Sequence, residues 1–324
     1  MRYSMGLAIF FCTALFVATG SVAQPLAPQS LESATNKKLR IQLDRSSSHA
    51  FEPVFLCITA EQFATPEEAE VQISRAGGEW RAVELKKKEW TRTQIDAPGK
   101  PTMQRRGVVL QAIENNGARH WLFAAAGKYS IRVKVGPDST TLTLDVSPPE
   151  VGEALAWTAL GDRVDDVLQN NFADQPEQAT IDLCAQVIRK YPRTLCAAYC
   201  QSYLSITQFK ILFEKNGRSG GAAVYGSVAD SLTKIADGFK DGFFGEMTAF
   251  YAGYARGLTS DFKSLLAITN NMKTHLTLWG DGVTDMRMEV LSHLAPRVIP
   301  VDPSHPEATT NPSTQPYVIP IARP

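Results

Sequence analysis

Hydrophobic and polar positions alternate along the first half of the chain and recur every three to four residues along the second. From Leu39 the period is two. Leu39, Ile41 and Leu43 share one side of an extended segment. Val54, Leu56 and Ile58 share one side of the next, with Phe55 and Cys57 opposite, and Val71 and Ile73 continue the pattern. A turn signal at Ala76-Gly77-Gly78-Glu79 leads into a return strand over 80–85. Val108-Val109-Leu110, the Asn115-Asn116-Gly117 turn and His120-Trp121-Leu122-Phe123 follow. Tyr129, Ile131, Val133 and Val135 then face Leu142, Leu144 and Val146 across a Gly136-Pro137-Asp138-Ser139 turn. Short strands joined by turns, with no helical pattern between them, predict an antiparallel β-sandwich over residues 38–147.

Pro148 and Pro149 cannot donate to a ladder, so residues 148–151 are the expected linker between two domains. Beyond them Leu160, Val164, Val167 and Leu168 form one helical stripe, and Ile181, Cys184, Ile188 and Tyr191 the next. Further helices are predicted over 195–213, 224–239, 246–258, 261–278 and 283–294, so the second domain, residues 152–296, is all-α. The proline-rich tail, 297–324, has no usable period and is expected to be extended or disordered.

At the other end, Arg2 precedes an apolar run from Met5 to Ala18, and Ser21-Val22-Ala23 stands before Gln24. This is the pattern of a secretory signal over 1–23, cleaved after Ala23, with an uncleaved N-terminal membrane anchor as the alternative; the run is too short for an ordinary membrane span. Residues 24–37 form a polar, proline-bearing, flexible lead-in. Export places the chain where disulfides form.

Two segments carry family resemblances. Ala126-Gly127-Lys128-Tyr129-Ser130-Ile131-Arg132-Val133 resembles the tyrosine corner of immunoglobulin-like domains, which implies that the Tyr129 hydroxyl bonds back to upstream backbone. The apolar stripe before Lys190-Tyr191-Pro192, with Thr194 as a helix cap and small residues at Ala197 and Ala198, resembles a tetratricopeptide (TPR) hairpin of exported assembly proteins. That resemblance implies a TPR-like helical domain and a non-catalytic role in binding or assembling other proteins.

The chain of 324 residues has 33 Lys+Arg and 33 Asp+Glu, leaving no electrostatic footprint for nucleic acid or an anionic membrane. No cofactor or metal motif stands out. The glycines of 217–221 are not followed by Gly-Lys-Ser/Thr, and the histidines at 49, 120, 275, 293 and 305 have no ligand spacing. Cys184 and Cys200 lie equally far on either side of Pro192, so an antiparallel helix pair brings them opposite each other. A disulfide, buried packing and, less readily, a metal or redox site all remain open for them and for Cys196. Gly217-Arg218-Ser219-Gly220-Gly221 matches G-x-S-x-G, which makes Ser219 the candidate nucleophile of a serine hydrolase. Phe243, Phe250 and Tyr254 are candidates for a groove that takes a partner peptide, with core packing as the alternative. Trp80, Trp90 and Trp121 are the stacking candidates if the sandwich binds glycan. The leading expectation is a protein–protein interaction or assembly module outside the cytoplasm.

Overall fold

The computed structural model describes residues 33–35, 39–61, 69–83, 91–95, 103–115, 118–169, 176–239, 242–272 and 278–294. The expected signal, 1–23, the tail, 297–324, and Trp90 lie outside the described residues. The strands are β1 (Ser33–Thr35), β2 (Leu39–Leu43), β3 (Ser47–His49), β4 (Val54–Glu61), β5 (Glu70–Arg75) and β6 (Arg81–Val83). They continue as β7 (Thr91–Ile95), β8 (Met103–Leu110), β9 (Ala112–Asn115), β10 (Ala118–Trp121), β11 (Gly127–Val135) and β12 (Asp138–Ser147). The helices are α1 (Glu153–Leu160), α2 (Val164–Gln169), α3 (Gln178–Lys190) and α4 (Leu195–Asn216), then α5 (Gly221–Gly238), α6 (Gly242–Leu258), α7 (Phe262–Asn271) and α8 (Leu278–Leu294). Among the described residues no helix is long and apolar enough to cross a membrane.

The strands form two five-stranded sheets, ordered β1-β2-β4-β8-β7 and β3-β12-β11-β5-β6, and a small β9-β10 pair. Alternation does what the period of two dictates: Leu39, Ile41, Leu43, Leu56 and Ile58 of the first sheet share one apolar cluster with Ile73, Ile131, Val133 and Leu144 of the second. The Tyr129 hydroxyl donates to the Ala125 carbonyl at 2.8 Å, and its ring meets Phe123 edge-on. The architecture nevertheless corrects the expected antiparallel, immunoglobulin-like sandwich. Both sheets are open, and β3 runs parallel to β12, with Asp145 opposite Ser47 and Ser147 opposite His49. The polar triplet of β3 gives no alternation to read; it is held by the end of β12, where the Asp145 amide donates to the Ser46 carbonyl at 3.0 Å. Ser33–Thr35, inside the expected lead-in, pair with β2.

The helical half corrects the TPR-like expectation in the same way. The α3–α4 hairpin turns at Tyr191-Pro192-Arg193, and Thr194 caps α4 by accepting from the Ala197 amide at 3.1 Å. No later pair repeats it: α3 and α4 have 13 and 22 residues, and α5, α6 and α7 have 18, 17 and 10. These are irregular helices around a central α4 that is mostly buried from Cys196 to Lys210, not stacked equal units.

Candidate functional site

The feature that the alternating pattern least prepares for is the back of β4. Phe55 and Cys57, on the side away from the sheet core, belong to the helical cluster, and Val109, Phe51 and Trp121 pack against it. The Phe55 ring stacks on Phe243 of α6 at 5.2 Å between centroids. Gly107 on the neighbouring strand makes this possible, since a Cβ there would fall 2.1 Å from the tip of the Phe55 ring. Behind Phe243, Tyr199 of α4 stacks on Phe244 at 3.8 Å and meets Trp157 of α1 edge-on. Sheet and helices therefore share a continuous aromatic core.

Beside this core lies a cluster of charges drawn from four places in the chain. The segment between β2 and β4, which includes β3, supplies Asp44, Arg45, His49 and Glu52, the linker Glu150, the start of α1 Glu153, and α4 Tyr199. Asp44 accepts from the Phe55 amide at 2.9 Å and pairs with Arg45 at 3.2 Å. A Cβ at Gly242, where φ is +73°, would sit 2.8 Å from the Asp44 carboxylate, so glycine lets the start of α6 approach it. Glu52 accepts from the Ser48 hydroxyl at 2.9 Å and the His49 amide at 3.0 Å. His49 faces Glu52 through Nδ1 at 3.3 Å and Glu150 through Nε2 at 3.6 Å. Glu153, 1% exposed, reaches the N-terminus of α4 and accepts from the Leu195 and Cys196 amides at 2.8 and 2.9 Å. A carboxylate there satisfies two of the amides that a helix start leaves unpaired.

Burial sets the electrostatics. It pushes the Glu153 carboxyl up to about 7 against its two amide bonds, and the charge of Glu52 adds to the rise. Burial also raises the Asp44 carboxyl, opposed by Arg45 and the Phe55 amide. Glu52 is held below the usual carboxylate range because, although burial works against it, the His49 hydrogen bond and the Arg45 charge outweigh that penalty. The Glu52 hydrogen bond raises His49. The Tyr199 hydroxyl is buried without a hydrogen-bond partner among the described residues, and burial drives its ionisation well above the ordinary value. Phe51, at the centre of the turn, adopts φ +72°, a left-handed conformation unusual for an aromatic residue. Its amide donates to the Phe123 carbonyl at 3.0 Å, and its carbonyl accepts from the Gln111 side chain at 2.9 Å.

The residues singled out from sequence fall elsewhere or serve otherwise. Cys184, Cys196 and Cys200 are fully buried free thiols, which corrects the expected disulfide. Thiols in a dry helix interface behave as small hydrophobes, and the Cys200 contact and burial push the Cys184 thiol far up, away from nucleophile chemistry. Ser219 lies in a 3-10 turn, Gly217–Gly220, with α4 before it and α5 after it, where a nucleophile elbow has a strand before it. Downstream of it, Asp261 caps α7 through the Ser264 amide and pairs with Arg256; His275 lies outside the described residues, as does the side chain of His293. Phe250 and Tyr254 come together with parallel rings at 6.4 Å, whereas Phe243 is 1% exposed under Phe55. Trp80 carries the Arg132 guanidinium over its ring at 3.9 Å, while Trp121 packs on Phe51 beside the charged cluster. A small depression between α5, α6 and α7, lined by Ala236, Asp237, Phe239, Ile268 and Met272, has no serine, cysteine or histidine among these residues.

No family model and no curated protein matches the chain. Among solved structures, the amylomaltase from Corynebacterium glutamicum is similar over 71% of this chain and 43% of its own, with 12% identity and a TM-score of 0.24. The chain thus spans less than half of that enzyme, and a likeness this slight carries no conclusion about fold or activity. The resemblances to immunoglobulin-like and TPR proteins do not extend to membership of a family.

Proposed function

We propose that the protein is a non-catalytic protein–protein interaction or assembly module that acts outside the cytoplasm. One observation carries this reading. Val151, in the linker ahead of α1, and Leu155, in the first turn of α1, are 97% and 61% exposed, while Ala156, Trp157 and Leu160 bury the helix's other face. Leu155 is presented from a helix held by Glu153 and by the aromatic core, which reduces the ordering cost of binding. Open sheet edges offer a second surface of the kind that partner strands use. Export through the leader at 1–23 belongs to this proposal.

The test is crosslinked affinity capture from envelope and secreted fractions with the full mature chain, alongside the double variant Val151→Asp, Leu155→Asp. The reading expects one or two specific proteins with the parent chain and their loss with the variant, whose exposed positions leave the fold intact. An unchanged set of captured proteins in the variant, or no specific capture by either, overturns it.

A further inference from the structure

His49 is placed where only one of its protonation states suits both of its neighbours. Its Nδ1 lies 3.3 Å from a Glu52 oxygen and its Nε2 3.6 Å from a Glu150 oxygen. Ionised carboxylates accept only, and a neutral imidazole has a single N–H, so one nitrogen would turn a lone pair toward a carboxylate. The imidazolium donates to Glu52 and presents its second N–H to Glu150 in an ion pair. We propose that His49 is a proton-operated clasp, whose imidazolium ties Glu52 on the sheet side to Glu150 ahead of α1 and whose deprotonation releases Glu150 and loosens the linker between sheet and helices.

The surroundings decide which bond gives way. Glu52 is also held by the Ser48 hydroxyl, the His49 amide and, at 3.8 Å, Arg45, so it keeps the remaining N–H. Glu150, 56% exposed at its side chain, is free to turn into water. The other charged or titratable groups facing the cluster are Asp44, Arg45, Glu153 and Tyr199. Arg45 pairs with Asp44 and Glu52, which leaves the imidazolium to balance Glu150. Glu150 lies at the point where movement would be transmitted. It follows Pro148-Pro149, its carbonyl accepts from the Glu153 amide at 3.0 Å, and Gly152 behind it has φ +85°. The linker is otherwise stitched to the turn by the Ala50 amide, which donates to the Ser147 carbonyl at 2.9 Å, so release frees the segment from Glu150 onward.

Nitrogen NMR of the His49 ring and amide hydrogen exchange over 150–157, both in the full mature chain, test the clasp. The proposal expects both ring nitrogens to be protonated at the acid end and a midpoint above the free value of about 6.5 that falls toward it in Glu150→Gln. It also expects exchange over 150–157, corrected for the intrinsic pH dependence, to be about threefold faster at about pH 8 than at about pH 6, a gain typical of losing a partly exposed ion pair. In a Glu153→Gln background, which removes the titration of that carboxyl from the same segment, Glu150→Gln should abolish the difference that remains. A midpoint at or below the free value, or a pH dependence that survives Glu150→Gln in that background, overturns the proposal. Glu150 is exposed enough that this variant folds even if His49→Gln does not.

Discussion

Replacing Phe55 by alanine removes a fully buried ring from the sheet's outward side and leaves a cavity over Phe243. A buried Phe→Ala change costs about 3–5 kcal/mol, and the stacked pair itself about 0.5–1.5 kcal/mol of that. Gly107→Ala attacks the same contact from the other side, because its Cβ would lie 2.1 Å from the ring tip and must displace it. Overpacking of this kind costs about 1–3 kcal/mol. The two changes are therefore strongly coupled: in the Phe55→Ala background the slot is empty, and Gly107→Ala should cost close to nothing. Denaturant unfolding followed by helical circular dichroism and by tryptophan fluorescence measures all three variants. If Gly107→Ala costs as much without the ring as with it, or if Phe55→Ala costs less than about 1 kcal/mol, the aromatic contact is not what joins sheet to helices.

Glu153 gives a pH prediction. Its folded carboxyl, pushed up to about 7 from 4.5, holds its proton more tightly than in the unfolded chain. Its contribution is thus full below about pH 4.5 and lost as pH rises through about 7. His49, also raised, acts in the same direction at higher pH, whereas the lowered Glu52 acts oppositely but only below its ordinary range. Tm should fall from about pH 5 to about pH 8 and should fall less in Glu153→Gln; an unchanged slope in the variant would contradict the assignment. Thr194→Ala, which deletes the α4 cap, should cost about 1 kcal/mol by denaturant unfolding. Alkylation without reductant should label Cys57, Cys184, Cys196 and Cys200 fully in the unfolded chain and hardly at all in the native one, and a protected pair after unfolding would restore the disulfide.

Local chemistry was legible in the sequence wherever it was written in neighbouring residues. The period of two marked β2, β4, β11 and β12, the Tyr-Pro turn marked the α3–α4 hairpin, and Thr194 announced its cap. What the sequence did not show is long-range. The polar Ser47–His49 and Thr91–Ile95 strands have no alternating pattern, because their neighbours in the sheet hold them. Phe55 and Cys57 read as the second side of a strand, but nothing local says that helices cover that side. Nothing near Glu153 in the sequence marks its partners, the amides of Leu195 and Cys196, 42 and 43 residues on. The clustered thiols drew attention because cysteine is rare and chemically versatile, whereas His49, Glu52 and Glu150 become notable only when the fold brings them together.

Phe55, Gly107 and Phe243 give sheet and helices a common core, so the two should behave as one body. Native-state hydrogen exchange of the full mature chain tests it most directly, by comparing the opening free energies of the slowest amides in β4, Val54–Glu61, and α6, Gly242–Leu258. The account predicts that the two elements open together, with one shared free energy that drops by the same amount in Phe55→Ala. Separate opening free energies, with the drop confined to β4, would show two independent units and contradict it.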